Sequence, residues 1–189
     1  MNDIGFNDSD RIGKIGEEQY KRFLDSMVAD GKICSYVDLR ANKVAEIVDC
    51  DFATCKALKE DGTFYSVKDI EEAILDKKRL NGVSLIEVKT DTRILEKRNF
   101  FLEILMHGGP GCFGFSRADK WIYYGINTHH QIEKMWVIKL RDLRVALTDG
   151  RVKKEDVGEY IDKEHSVMAK LVNEGALVKL RIAKEYKVF

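Results

Sequence analysis

Apolar residues recur at helical spacing near the start of the chain. Ile12, Gly16, Tyr20, Phe23, Leu24, Met27 and Val28 form one stripe, which predicts a helix over residues 13–29 closed by Asp30-Gly31. Beyond it the period shortens to two. Residues 33–39 (ICSYVDL) and 44–52 (VAEIVDCDF) read as strands; in the second, Ile47, Asp49 and Asp51 share one face and Val48, Cys50 and Phe52 the other. Residues 53–82 lose the alternation. Within them SVKDIEEAILDKKRLNG predicts a short helix punctuated by Asn81-Gly82, so the stretch reads as an excursion between two strands of one sheet. Further strands are predicted at 83–89, at 99–105, and in ADKWIYYGI and KMWVIKL, with HGGPGCFGF as a glycine loop. RDLRVAL predicts a helical turn, residues 153–172 a polar helix, and ALVKLRI a short closing segment. Helix, strands, then helices: that order predicts an α/β (α+β) sandwich built on a mixed sheet.

The same alternation sorts the charges. In VSLIEVKTDT, Glu87 and Lys89 point to one face while Ile86 and Val88 point to the other. A strand this apolar that gives one face to an acid and a base holds either a local ion pair on a wet face or half of an active site. On the first helix, Glu17 falls at the edge of the apolar stripe, whereas Glu18 lies with Lys21, Arg22 and Asp25 on the wet face. An acid in the first turns of a helix is also favoured by the macrodipole, so Glu17 has a structural explanation beside the functional one.

Composition narrows the classes. At 189 residues, 44% hydrophobic and 34% charged, the chain suits one domain with a sizeable core and a heavily charged surface. Lys+Arg and Asp+Glu both number 32, a balance that argues against a non-specific nucleic-acid coat and leaves room for a local basic rim. No apolar run reaches the length of a membrane span and the first residues carry no signal-peptide core, so a cytoplasmic setting without membrane contact is expected. Cys34, Cys50, Cys55 and Cys112 form no CxxC pair, and the histidines are not spaced to complete a zinc site; reduced thiols are expected.

Three acids and a lysine remain: Glu17, Asp51, Glu87 and Lys89. Oxygen donors of this kind suit Mg²⁺, which takes one or two carboxylates and keeps waters or phosphate oxygens. A lysine beside such an ion can orient an attacking water and offset charge growing on a phosphate, the pattern of metal-assisted hydrolysis.

Asp51 followed by Glu87-Val88-Lys89, after a helix bearing Glu17, resembles the PD-(D/E)XK nuclease superfamily. VDCDF resembles the apolar-flanked DxDF strand of some phage and bacterial members, and IEVKTD their catalytic strand. NFFLEI, GCFGFSRADKWIYYG and LRDLR resemble later segments, so the likeness runs over roughly residues 11–145. It implies a restriction-endonuclease-like mixed central sheet flanked by helices. That fold would have an αβββαβ-type core, an insertion at 53–82 and a helical extension over 146–189, all in one domain. It implies Mg²⁺ or Mn²⁺ held by Asp51, Glu87 and the Val88 carbonyl, with Lys89 acting on the attacking water and Glu17 as an auxiliary acid. The activity it implies is a metal-dependent endonuclease acting on DNA ahead of RNA, with a homodimer as a further expectation. A catalytically silent nucleic-acid-binding or regulatory module of the same fold is the alternative, and an unrelated α+β protein with an accidental motif is the third.

Around this core several residues stay open. Asp49 shares the predicted face of Asp51 and competes with it as a ligand, with Asp38 a weaker third. Glu103 alternates with Phe101 and Leu105 and is a candidate auxiliary acid or an ordinary surface glutamate. Arg93, Lys97, Arg98, Arg117 and Lys120 are candidate phosphate contacts, set against a solvated charged face. Phe113 and Phe115 could offer stacking surfaces, whereas core packing is expected for Trp121.

Overall fold

The computed structural model describes residues 6–107 and 109–188, with side chains from residue 11 onward. Gly108 of the glycine loop lies outside the described residues. In chain order the elements begin with α1 (Phe6–Ala29), β1 (Ser35–Asp38), α2 (Lys43–Ile47), β2 (Phe52–Cys55), α3 (Val67–Leu75) and β3 (Val83–Asp91). There follow α4 (Ile94–Lys97), β4 (Asn99–Met106), β5 (Gly109–Pro110), α5 (Cys112–Phe115), β6 (Lys120–Ile126) and β7 (Ile132–Lys139). The chain closes with α6 (Leu140–Thr148), β8 (Val157–Asp162), β9 (Val167–Asn173), α7 (Glu174–Lys179) and β10 (Ala183–Lys187). The fold is of the mixed α+β kind. It divides into two compact units, one from the chain up to Thr90 together with Arg117–Ile122, the other from Asp91–Ser116 and the chain from Tyr123.

In the first unit the strand order is β1-β2-β3-β6, with β6 represented by Lys120–Ile122. The first three strands form an antiparallel meander, with Asp38 opposite Phe52 and Phe52 opposite Ile86. Directly opposed residues project to the same side. Tyr36, Phe52 and Ile86 therefore line one face and Val37, Ala53 and Leu85 the other. Helix α1 covers the first face: Tyr20 meets Phe52 edge-on at 5.6 Å, and the Tyr36 hydroxyl donates to Asp25 Oδ1 at 2.6 Å. Its predicted stripe is buried at Ile12, Gly16, Tyr20 and Leu24, while Phe23 and Val28 are exposed at the flank. On the second face Ala45 of α2 and Ile70 and Ile74 of α3 pack with Val37, Leu39, Ala53 and Cys55. The helix predicted within the excursion is α3, begun by a reciprocal cap between Ser66 and Asp69. The excursion is pinched where the Lys56 amide donates to the Gly82 carbonyl at 2.8 Å. Gly82 has φ +69, and a Cβ there would lie 2.9 Å from the Ala57 Cβ, so glycine is required on two counts.

The predicted strand at 44–52 is instead helix α2, a turn, and only then β2. Asn42 accepts from the Val44 and Ala45 amides at 3.0 Å each, which starts the helix. Val44 and Val48, four apart, both pack on the second face of the meander. In so short a run the apolar positions satisfy either period, and the Asn42 cap decides. Asp49 and Asp51 therefore do not share a strand face. Replacing Asn42 with Ala should lower stability by about 1 kcal/mol, read as a shift of the urea midpoint at constant slope.

In the second unit the sheet order is β6-β7-β10, with β6 represented by Tyr123–Ile126, and a second sheet runs β5-β4-β9-β8. Phe100 of β4 meets Tyr123 edge-on at 5.0 Å and Trp136 at 5.6 Å, tying the two sheets together. The Trp136 indole N–H donates to the buried Glu174 Oε1 at 3.0 Å. The polar helix predicted at 153–172 is overturned: apart from one 3-10 turn at Lys154–Asp156, the segment forms the hairpin β8–β9, with Val157 opposite Val172 and Asp162 opposite Val167. The C-terminal extension is thus a hairpin followed by α7 and β10 rather than helical. Ala169 and Val172 are buried beside β4, and that tertiary demand sets the strand whatever the polar character of the segment. Among the described residues, no helix is long and apolar enough to cross a membrane.

Candidate active site

The candidate site lies in the first unit, where β2 begins beside the second half of β3. Asp51 directly precedes β2, and its amide still donates to the Ile86 carbonyl at 2.8 Å. There the backbone ladder stops, because the chain before Asp51 turns away into α2. The next ladder donor, the Val88 amide, bonds to the Asp51 carboxylate (Oδ2) at 2.8 Å instead. The Asp51 side chain thus terminates the β2–β3 ladder and is held against β3 by it. Val88 itself is buried on the face opposite Glu87, and its amide is what fixes Asp51.

Glu87 and Lys89 lie on one face of β3, as the alternation predicts, and Lys89 Nζ is 2.7 Å from Glu87 Oε1. A second acid reaches the same ammonium: Asp49 Oδ1 is 3.1 Å from it. The Lys89 ammonium also lies 5.7 Å from the ring centroid of Trp121, a fully buried indole that forms an apolar, electron-rich wall beside it. Asp49, Asp51, Glu87 and Lys89 are thereby gathered around the end of β3.

Burial governs the electrostatics. Glu87, only 6% exposed, has its carboxyl pushed well above the usual range by desolvation, opposed by Lys89 and reinforced by Asp51 and Asp49. Asp51 is raised to about 6, again by burial first; the Val88 hydrogen bond opposes the rise, and the charge of Glu17 adds to it. The neighbouring Cys50 thiol is pushed up by burial and by the surrounding acids, the opposite of what a thiolate nucleophile needs.

Glu17 projects from α1, which covers the other face of the meander. It influences Asp51 through its charge and pairs with Arg40, whose Nη1 lies 3.6 Å from Glu17 Oε2. Arg40 went unread in the sequence. Its guanidinium sits 5.1 Å from the Phe52 ring centroid and bonds to Asp38 (Nε–Oδ1 3.0 Å, Nη2–Oδ2 2.6 Å) and Glu18 (2.5 Å). Asp38 is therefore an arginine partner, its carboxyl held below the usual range by that guanidinium. The available signal was Asp38-x-Arg40 next to a strand, a short-range clamp that a search for metal ligands passes over.

The predicted basic contacts are variously committed. Arg117 Nη1 donates to the Ile74 carbonyl and its backbone amide to Val48, which ties the start of the β6 segment to α3 and α2. Lys120 is half-buried at the start of β6. In the second unit Arg93 is exposed beside the Phe101 ring, Lys97 pairs with Glu96 at 2.5 Å, and Arg98 pairs with the buried Glu174. Glu103, also in the second unit, accepts from the Cys112 thiol at 3.0 Å. Gly111 fits closely there, since a Cβ would lie 2.5 Å from the Glu103 carbonyl carbon. Phe113 is half-buried and Phe115 exposed, while Trp121 is core, as expected. Asp119, just before β6, accepts from the Leu85 amide at 2.9 Å and returns its own amide to the Leu85 carbonyl at 2.8 Å.

Among the described residues, no group of three or more His, Cys, Asp or Glu side chains is arranged so that it could hold a metal ion. The donor set nonetheless has the chemistry of a hard cation. Its groups are carboxyl oxygens, and two of them, on Asp51 and Glu87, are both raised by burial, with the Asp51 charge further opposing ionisation of Glu87. Mg²⁺ commonly takes no more than one or two carboxylates, so this pair fits it. No family model matches the chain, and no curated protein or solved structure matches it.

Proposed function

We propose that the chain is a divalent-metal-dependent nuclease of the PD-(D/E)XK type that hydrolyses phosphodiester bonds in DNA, with Mg²⁺ or Mn²⁺ as cofactor. The observation that carries the reading is the convergence on Lys89. Its ammonium is 2.7 Å from Glu87 and 3.1 Å from Asp49, beside an Asp51 carboxyl that burial has made reluctant to ionise. Asp51 and Glu87 would hold the ion, which when bound supplies charge neutralisation at the phosphate and acidifies water. Lys89 would orient the attacking water and offset the charge that grows on the phosphoryl oxygens. Trp121 keeps bulk water from one side of that ammonium, and the lower local dielectric strengthens its field. Glu17 would add negative potential at Asp51 from α1.

A second reading, a catalytically silent nucleic-acid-binding or regulatory module, is favoured by one observation: Lys89 already neutralises the acids around it. The two readings diverge in one experiment. Purified protein is incubated with Mg²⁺ or Mn²⁺ and with duplex, single-stranded and branched DNA and RNA. The nuclease reading expects cleavage of a DNA substrate that a chelator stops. No cleavage of any substrate and no calorimetric metal binding would overturn the nuclease reading in favour of the silent module or of an unrelated α+β protein with an accidental motif.

A further inference from the structure

Asp49 occupies a position where its backbone is unfavourable and its carboxylate is used. Helix α2 ends in a Schellman motif: the Cys50 amide donates to the Ala45 carbonyl and the Asp49 amide to the Glu46 carbonyl, both at 3.1 Å. The residue between helix and exit must then be left-handed, and Asp49 has φ 56. Glycine is the usual residue there because any Cβ is strained in that region. Nothing in the motif itself asks for a carboxylate. From this turn, however, Asp49 Oδ1 reaches Lys89 Nζ at 3.1 Å, across forty positions of sequence, with a side chain 14% exposed.

We propose that Asp49 is the positioning residue for Lys89: the helix-ending turn trades local backbone preference for a carboxylate that fixes the lysine ammonium. Glu87 alone cannot fix it, because one contact from a neighbour two residues along the same strand leaves a four-carbon side chain free to swing about that oxygen. A second acid arriving from the α2 turn defines a direction, and the Trp121 ring defines the third side. Asp49 accordingly acts through Lys89 and is not a metal ligand. The geometric part stands on the contacts alone; its catalytic consequence rests on the nuclease reading.

The test uses Asp49→Gly and Asp49→Asn in the full chain. Glycine suits the left-handed turn and asparagine tolerates it, so both variants are expected to fold. The primary readout is the side-chain ¹⁵N–¹H signal of the Lys89 ammonium, assigned by its loss in Lys89→Arg and recorded without metal. The proposal expects a protected signal in the wild type that broadens or vanishes in both variants. An unchanged Lys89 signal in both would overturn it. The second readout is kinetic. Cleavage should fall on the order of 10²-fold in kcat, with KM unchanged and the calorimetric Mn²⁺ affinity falling far less than in Glu87→Ala, since only the field of the Asp49 charge is lost. A fall in Mn²⁺ affinity as large as that of Glu87→Ala would make Asp49 a ligand and overturn the assignment. Should the wild type neither cleave nor bind metal, the nuclease reading fails, and the Lys89 signal still decides the role of Asp49.

Discussion

Lys89→Ala is expected to lower kcat for DNA cleavage by about 10²–10⁴-fold, the range for loss of a positioned proton-handling group, while Mn²⁺ still binds. The lysine ammonium contacts both Glu87 and Asp49, and it also opposes the negative field at Asp51. Removing it deepens the negative potential between the carboxyls, so a divalent ion should bind at least as tightly as before. The attacking water loses its orienting charge, and that loss appears in kcat. Glu87→Ala should behave differently. It removes one of the two proposed ligands and frees the Lys89 ammonium from its closest acid, so metal binding and cleavage should fall together. The checks are single-turnover kinetics, calorimetry with Mn²⁺, and circular dichroism to establish that both variants fold. Cleavage at the wild-type rate by Lys89→Ala would trace the activity to a contaminant or to other residues and end the assignment.

How much of this was legible beforehand differs by residue, for physical reasons. Glu87 and Lys89 could be placed on a common face because strand alternation is strict over VSLIEVK, and the structure puts their charged atoms in contact. The excursion and its helix were legible through Ser66, Asp69 and Asn81-Gly82, residues whose local bonding is nearly self-contained. The segment 44–52 was not, because Val44, Ala45 and Val48 fit two periods and only the side chain of Asn42 breaks the tie. That error put Asp49 on a strand face, whereas it sits in a left-handed turn and reaches Lys89 from there. Asp51 escaped the same error because its own carboxylate binds the Val88 amide, pinning it to β3 whatever precedes it. The β8–β9 hairpin was illegible because β4, a partner distant in sequence, fixes it, whereas for Arg40 the local Asp38 clamp was legible and only its contacts with Glu18 and Phe52 were not.

The metal-free protein is expected to lose stability as pH rises through the range in which Asp51 titrates. Its carboxyl titrates near about 6 when folded and near ~3.9 when unfolded. Below ~pH 4 both states hold the proton. Between these values the folded state retains a proton that the unfolded state has released, so each step upward in pH favours unfolding. The full difference is on the order of 3 kcal/mol for Asp51 alone, and Glu87, raised by burial, acts in the same direction. Carboxyls held low by partners, such as Asp38 beside Arg40, work in the opposite sense, so the wild-type profile is a sum. The comparison with Asp51→Asn isolates the group: asparagine keeps an acceptor for the Val88 amide and cannot ionise. Urea unfolding from about pH 4 to about pH 7 should therefore show the variant gaining on the wild type as pH rises. Parallel profiles would mean that Asp51 is not held in the environment described. Under the nuclease reading Mg²⁺ or Mn²⁺ should reverse the wild-type loss, raising the midpoint more at about pH 7 than at about pH 5, because the ion binds the ionised pair and competes with the proton. In Asp51→Asn that metal-dependent gain should shrink. A gain equal in size at both pH values would separate cation binding from these carboxyls even if the proton linkage holds.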